Sequence, residues 1–203
     1  MHLFEDVTGV ILAGGKSSRF GPNKAFAMVE GTPLIERVLT IMRSLFQRTI
    51  LITNTPDEYS YLGIPIYQDI IKGLGPLGGI YTGLTEILNE AGFFVACDMP
   101  SLNPELIRHL VEVGKGPDVV VPRIDGKLEA LHALYSKRCK PEVEGLIEAG
   151  IYQVIQLFPR VSVRHVDDDE LREFDPGLRS FFNVNRPREL EGFVQRSKRE
   201  NGP

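Results

Sequence analysis

Short, apolar, β-branched runs alternate with helix-spaced segments along nearly the whole chain, and this alternation restricts the fold more than any other feature. Val7 to Ala13 is almost continuously apolar and ends in glycine, the pattern of a strand covered on both faces. Thr49 to Thr53, Ile64 to Gln68, the wholly apolar Gly92 to Ala96 and Val161 to Val166 read as further strands, and Asp118 to Val121 repeats the buried pattern. Between them, Pro33 to Phe46 opens with proline at a first helical position and spaces Leu34, Ile35, Val38, Ile41, Met42 and Leu45 along one helical face. Pro76 to Leu88, Asn103 to Val113, Glu142 to Ala149 and Pro187 to Arg199 read as further helices, with Asn103 as the N-cap ahead of Pro104. Such an order implies right-handed βαβ units, hence an α/β, three-layer α/β/α domain with a mostly parallel sheet. Asp125-Gly126 between extended segments predicts a small antiparallel hairpin excursion within Arg123 to Tyr135.

At 203 residues the chain has the size of one domain, expected over 1–197, with 198–203 as a frayed tail. Its 42% hydrophobic and 25% charged residues exclude wholesale disorder. The net charge of −4 and the absence of any long basic block argue against nucleic acid and against a polybasic membrane patch. The longest run of like charge is Asp167 to Glu170. Cys97 and Cys139 are too few for a disulfide framework or a four-cysteine zinc site. With no signal-like start and no apolar run near the roughly 18 residues of a membrane helix, a cytoplasmic protein with reduced thiols is expected. The 20 glycines and 14 prolines exceed the usual share and cluster between the apolar runs. In open parallel sheets those are the places where ligands bind, beyond the carboxyl ends of strands.

Four such loops carry unusual residues. Leu12 to Lys24 follows a buried strand with Gly14 and Gly15 and holds Lys16, Arg19 and Lys24. Glycines let backbone N–H groups turn inward around an anion, and the cations can grip phosphate oxygens, so the loop reads as a triphosphate cradle or else as a solvated turn. Asp69 to Gly79 ends in Gly73-Leu74-Gly75-Pro76-Leu77-Gly78-Gly79 before a helix, which suits close approach to a base edge or phosphate, or a tight crossover. In Phe93 to Pro100, Asp98 closes an apolar strand and needs a partner, such as magnesium shared with substrate phosphates, unless it only caps the next turn. In Phe181 to Pro187, Asn183 and Asn185 point the same way if extended, and they are candidates for contacts to an acceptor or a metal-bound water. Asn185 is alternatively the cap of the last helix.

Two better-known phosphate motifs fail. A P-loop would need glycine at Val10, and the residues between read as strand. Gly73, Gly75 and Gly78 match G-x-G-x-x-G literally, but Pro76 lies inside and Asp69 to Lys72 separates them from the preceding strand. Cys97 has no neighbouring histidine to activate it and reads as a small buried hydrophobe. His109, His132 and His165 show no metal-ligand spacing.

Leu12-Ala13-Gly14-Gly15 with Ser17, Arg19, Gly21 and Lys24 resembles the signature loop of the nucleotide-diphosphate-sugar-pyrophosphorylase-like nucleotidyltransferases. Gly75 to Gly79, Cys97 to Pro100 and Asn183 to Asn185 narrow this to a resemblance to the MobA-type molybdenum cofactor guanylyltransferases, in an order that runs through most of the chain. The resemblance implies a Rossmann-like domain that transfers GMP from GTP to molybdopterin, with Mg²⁺, releasing pyrophosphate. It further implies delivery of the product to cofactor-accepting molybdoenzymes or their chaperones. It assigns nucleotide contacts to Leu12, Ala13, Gly14, Gly15, Lys24, Asn54, Asp69, Gly78 and Asp98, catalytic roles to Arg19, Lys24 and Asp98, and the metal to Asp98. Asn23 and Phe20 depart from the aspartate and methionine common in the family. Such chemistry needs no protein nucleophile, because the acceptor phosphate attacks directly; positioning and charge neutralisation suffice. Related readings are a transferase using CTP or a sugar or polyol phosphate, and a nucleotide-binding regulator without turnover.

Overall fold

A computed structural model of the chain describes residues 2–14 and 23–184. In chain order the elements are β1 (Phe4–Leu12), the short pair β2 (Met28–Val29) and β3 (Thr32–Pro33), α1 (Leu34–Leu45), β4 (Phe46–Ile52), β5 (Ile66–Tyr67), α2 (Pro76–Glu86), β6 (Ala91–Ala96), α3 (Pro104–Glu112), β7 (Val119–Ile124), β8 (Lys127–Leu128), β9 (His132–Ser136), α4 (Lys140–Glu148), β10 (Val163–Asp167) and α5 (Asp168–Phe174). Gly15, Arg19 and Asn185, the helix expected at Pro187 to Arg199 and the tail 198–203 lie outside the described residues.

The main sheet has the order β10-β7-β9-β6-β1-β4-β5, with β8 paired to β7. β1 lies parallel between β4 and β6, and its alternate side chains feed two cores. Ile11 packs with Ile35, Val38 and Met42 of α1 and Leu106 and Leu110 of α3. Val10 and Leu12 pack on the other face with Leu77, Ile80 and Leu84 of α2 and Val143 and Leu146 of α4. Burial of both faces is the physical reason the strands read as unbroken apolar runs rather than alternating ones. Among the described residues no helix is long and apolar enough to cross a membrane.

Most expected elements form, and the differences have local causes. Pro33 stands just before its helix at φ −58° and ψ 144°, pairing with Met28 in the small hairpin, and helicity starts at Leu34. Asn103 caps α3 as expected, its Oδ1 accepting from the N–H groups of Glu105 (2.9 Å) and Leu106 (3.2 Å). The acidic run seen only as a charge block opens α5, where Asp168, Asp169 and Glu170 face the positive end of the helix dipole. The Asp125-Gly126 turn is present, with both residues at positive φ (48° and 76°). Its consequence is larger than an excursion: β9 returns antiparallel and inserts between β6 and β7. At the start of β9, His132 is fully buried against Phe93 and Phe181. Neither of its ring nitrogens has a hydrogen-bond partner among the described residues, and burial pushes its pKa down to about 3.

Candidate active site

From β1 the chain winds one way, to β4 and β5, then crosses back over β1 to place β6 on its other side. The winding direction therefore changes between β1 and β6. A doubly wound sheet has its ligand crevice at the carboxyl ends of such a strand pair, because the loops there diverge to opposite faces. A cleft of about 830 Å³ occupies that position. Leu12, Gly14, Lys24, Asn54, Asp69, Asp98 and Asn183 all line it, so residues up to 171 positions apart in sequence meet at one crevice. Ala13 lines a smaller adjoining recess with Asn23, Lys24 and Thr55.

Lys24 and Asp98 form the centre. Asp98 follows the end of β6 and is 7% exposed. Its Oδ2 pairs with the Lys24 ammonium, while Oδ1 is buried with no hydrogen-bond partner among the described residues. Asn183 presents a second buried and unpartnered oxygen, Oδ1. It is brought alongside because the Val184 N–H donates to the Asp98 carbonyl (2.9 Å) and the Val184 side chain is buried with Val29 and Leu34.

Lys24 is itself held by its neighbour. Asn23 Nδ2 donates to Glu58 Oε2 (2.6 Å) and to the Tyr59 hydroxyl (2.8 Å), and its Oδ1 accepts from the Ala25 N–H (3.2 Å). This fixes the single helical turn that begins at Lys24. An aspartate at this position would set a second carboxylate against Glu58, whereas the asparagine donates to it. In the recess that Asn23, Lys24 and Glu58 also line, Asn54 Nδ2 donates to Asp69 Oδ2 (2.6 Å), so two residues expected to touch the nucleotide also orient each other.

The glycine-proline loop reaches the cleft through Gly73, Gly75, Pro76 and Gly79. Gly75 adopts φ 61° and ψ −145°, a region side chains exclude, and this lets the loop turn sharply into α2. Gly78 does not line the cleft. It is buried in α2, where an added Cβ would stand 3.1 Å from the Leu74 Cβ and 3.2 Å from the Ile71 carbonyl. Leu12 and Ala13 spend backbone groups within the sheet, the Leu12 carbonyl accepting from Cys97 N–H and the Ala13 N–H donating to Ile52. Burial, then the charge of Asp98, push the Cys97 thiol up to about 12, which leaves it protonated and inert as expected. The segment Leu128 to Leu131, which forms the opposite wall, was missed in the sequence. The Asp125-Gly126 turn signals the hairpin that carries it, but no local pattern says which way the returning chain goes.

A doubly wound α/β domain with a lysine–carboxylate pair at its switch-point crevice belongs to the class that handles nucleotides. The family described as MobA-like NTP transferase domain matches residues 9–166. A probable molybdenum cofactor guanylyltransferase of Pelotomaculum thermopropionicum is 39% identical over 90% of this chain and 89% of its own length. The molybdenum cofactor guanylyltransferase of Desulfosudis oleivorans is 37% identical over 91% and 93%. The crystal structure of molybdopterin-guanine dinucleotide biosynthesis protein A from Archaeoglobus fulgidus superposes with a TM-score of 0.84 at 30% identity, covering 95% of this chain and 99% of that one. The chain belongs to the MobA-like NTP transferase family.

Proposed function

We propose that the protein transfers GMP from GTP to the terminal phosphate of molybdopterin, releasing pyrophosphate and forming the guanine dinucleotide of the cofactor. The observation that carries this reading is the Lys24–Asp98 pair at the switch-point cleft. It is supported by relatives named molybdenum cofactor guanylyltransferase at 35–39% identity. In the reaction an oxygen of the acceptor phosphate attacks the α-phosphorus in line, a new P–O–P bridge forms, and the bond to the β-phosphate breaks. The protein supplies position and charge. The Lys24 ammonium would offset negative charge building on the α-phosphate. Asn54 and Asp69 hold the nucleoside end, and the Gly73–Gly79 loop closes over it. Arg19 and Gly15 are assigned to the β- and γ-phosphates.

The residues at the centre fit a divalent cation, taken as Mg²⁺. Asp98 Oδ1 and Asn183 Oδ1 are buried oxygens with no hydrogen-bond partner among the described residues. Among the described residues no cluster of three or more His, Cys, Asp or Glu side chains could hold a metal, so phosphate oxygens would complete the ligand set. When bound, the cation supplies Lewis-acid charge at the α-phosphate. Asn185 stands beside this group in sequence and is assigned a supporting contact.

The decisive experiment measures pyrophosphate release with GTP or CTP, with and without molybdopterin. Release that requires both GTP and molybdopterin is expected; preference for CTP, or for a sugar phosphate acceptor, would replace this reading by a related transferase.

A further inference from the structure

Sheet order divides the cleft into two flanks on either side of Asp98. Asn54 and Asp69 follow β4 and β5 on one side, while Leu128 to Leu131, leading into β9, line the other. If the nucleoside occupies the first flank, the second faces the acceptor. Glu129 is the one ionisable side chain of that four-residue wall. Its backbone is held from both directions: its N–H donates to the Pro122 carbonyl and its carbonyl accepts from the His132 N–H, each at 3.0 Å. The wall is further pinned by the Tyr135 hydroxyl, which donates to the Ala130 carbonyl (2.7 Å). The Glu129 carboxylate itself makes no hydrogen bond or ion pair with any described residue. Burial outweighs the nearby charge of Lys127 and raises its pKa.

A rigid apolar strip of Leu128, Ala130 and Leu131 carrying one half-buried carboxylate suits a flat heterocycle whose edge offers adjacent N–H donors. The geometry points to Glu129 as the acceptor-specificity residue, its two oxygens accepting from the N3–H and 2-amino group of a 2-amino-4-oxopteridine ring. This rests on molybdopterin being the acceptor. Guanine offers a similar donor edge, so the test must separate the two flanks.

Glu129→Gln keeps the side-chain shape but turns an NH₂ toward the donors. It is expected to raise the KM for molybdopterin about 30-fold, the effect of losing a charge-assisted hydrogen bond or two. The KM for GTP and equilibrium GTP binding should be unchanged, which also shows that the variant is folded. Direct binding of two small probes to the unmodified protein gives a second reading. Pterin should bind at least about tenfold tighter than lumazine, which lacks the 2-amino donor, and Glu129→Gln should erase the difference. A rise in KM for GTP instead, or no change in either KM, overturns the assignment, as does equal binding of pterin and lumazine by the unmodified chain. Failure of the unmodified protein to join GTP to molybdopterin would refute the proposed reaction, while the pterin and lumazine measurement would still decide whether Glu129 reads this edge.

Discussion

The two flanks of the cleft are built by different means. On the β4–β5 side, parallel strands end and their loops carry polar residues directly into the crevice, so Asn54 and Asp69 lie close to their strands in both sequence and space. On the β9 side, an antiparallel strand inserted between β6 and β7 brings in a wall from a hairpin more than 30 residues beyond β6. The first construction leaves a motif in the sequence and the second leaves only a turn signal. The flank with the motif faces the nucleotide in the proposed reaction, and the flank without one faces the acceptor, where a transferase family has most reason to vary.

If the flanks act as separate binding sites about one shared centre, substitutions should divide accordingly. Asp98→Ala removes the centre and should lower kcat by about 100- to 1,000-fold, with thermal unfolding little changed; turnover near normal would mean the flanks do not share it. His132 belongs structurally to the antiparallel flank. Folded, it stays neutral down to about pH 3, whereas the unfolded chain takes up that proton near 6.5. Its contribution is therefore complete above pH 6.5 and is lost on acidification, by about 2 kcal/mol at pH 5. Denaturant titrations should show His132→Leu with a flatter acid limb than the unmodified chain; parallel limbs would refute the assignment. Asn54→Ala should raise the KM for GTP about tenfold, leaving the KM for molybdopterin alone. Equal changes in both constants would break the division between flanks. Smallest is Asn23→Ala, which frees the turn holding Lys24 and should reduce kcat about three- to fivefold with both KM values kept. A change confined to KM would show that Lys24 serves binding rather than the transfer step.

The parts legible in the sequence are those governed by local rules. Burial of β1 on both faces, the Asn103 cap and the Asp125-Gly126 turn each follow from a few adjacent residues, and each is present. Asp98 was legible for a similar reason: a carboxylate ending an apolar strand must be paired, and its partner is Lys24. What was not legible depends on long-range placement. The pairing of Asn54 with Asp69, the support of Lys24 by Glu58 and Tyr59 through Asn23, and the position of Glu129 all join segments whose separation carries no periodic signal. At Gly78 the structure adds a packing reason to the motif's, since an added Cβ would crowd Leu74 and the Ile71 carbonyl.

The insertion of β9 also bears on how the molecule is assembled. β6 and β7 run parallel with a one-strand gap between them, and no backbone hydrogen bond bridges that gap until residues 132–136 arrive. A growing polypeptide that has emerged only as far as β7 can pair β6, β1, β4 and β5 but leaves β6 with an open edge. Open edges of this kind recruit other strands, and domains are completed from the N-terminus during synthesis. A chain that ended between β7 and β9 would leave the edge of β6 without its partner strand. The last strand to reach the middle of the sheet is thus also the one that makes the protein safe to release.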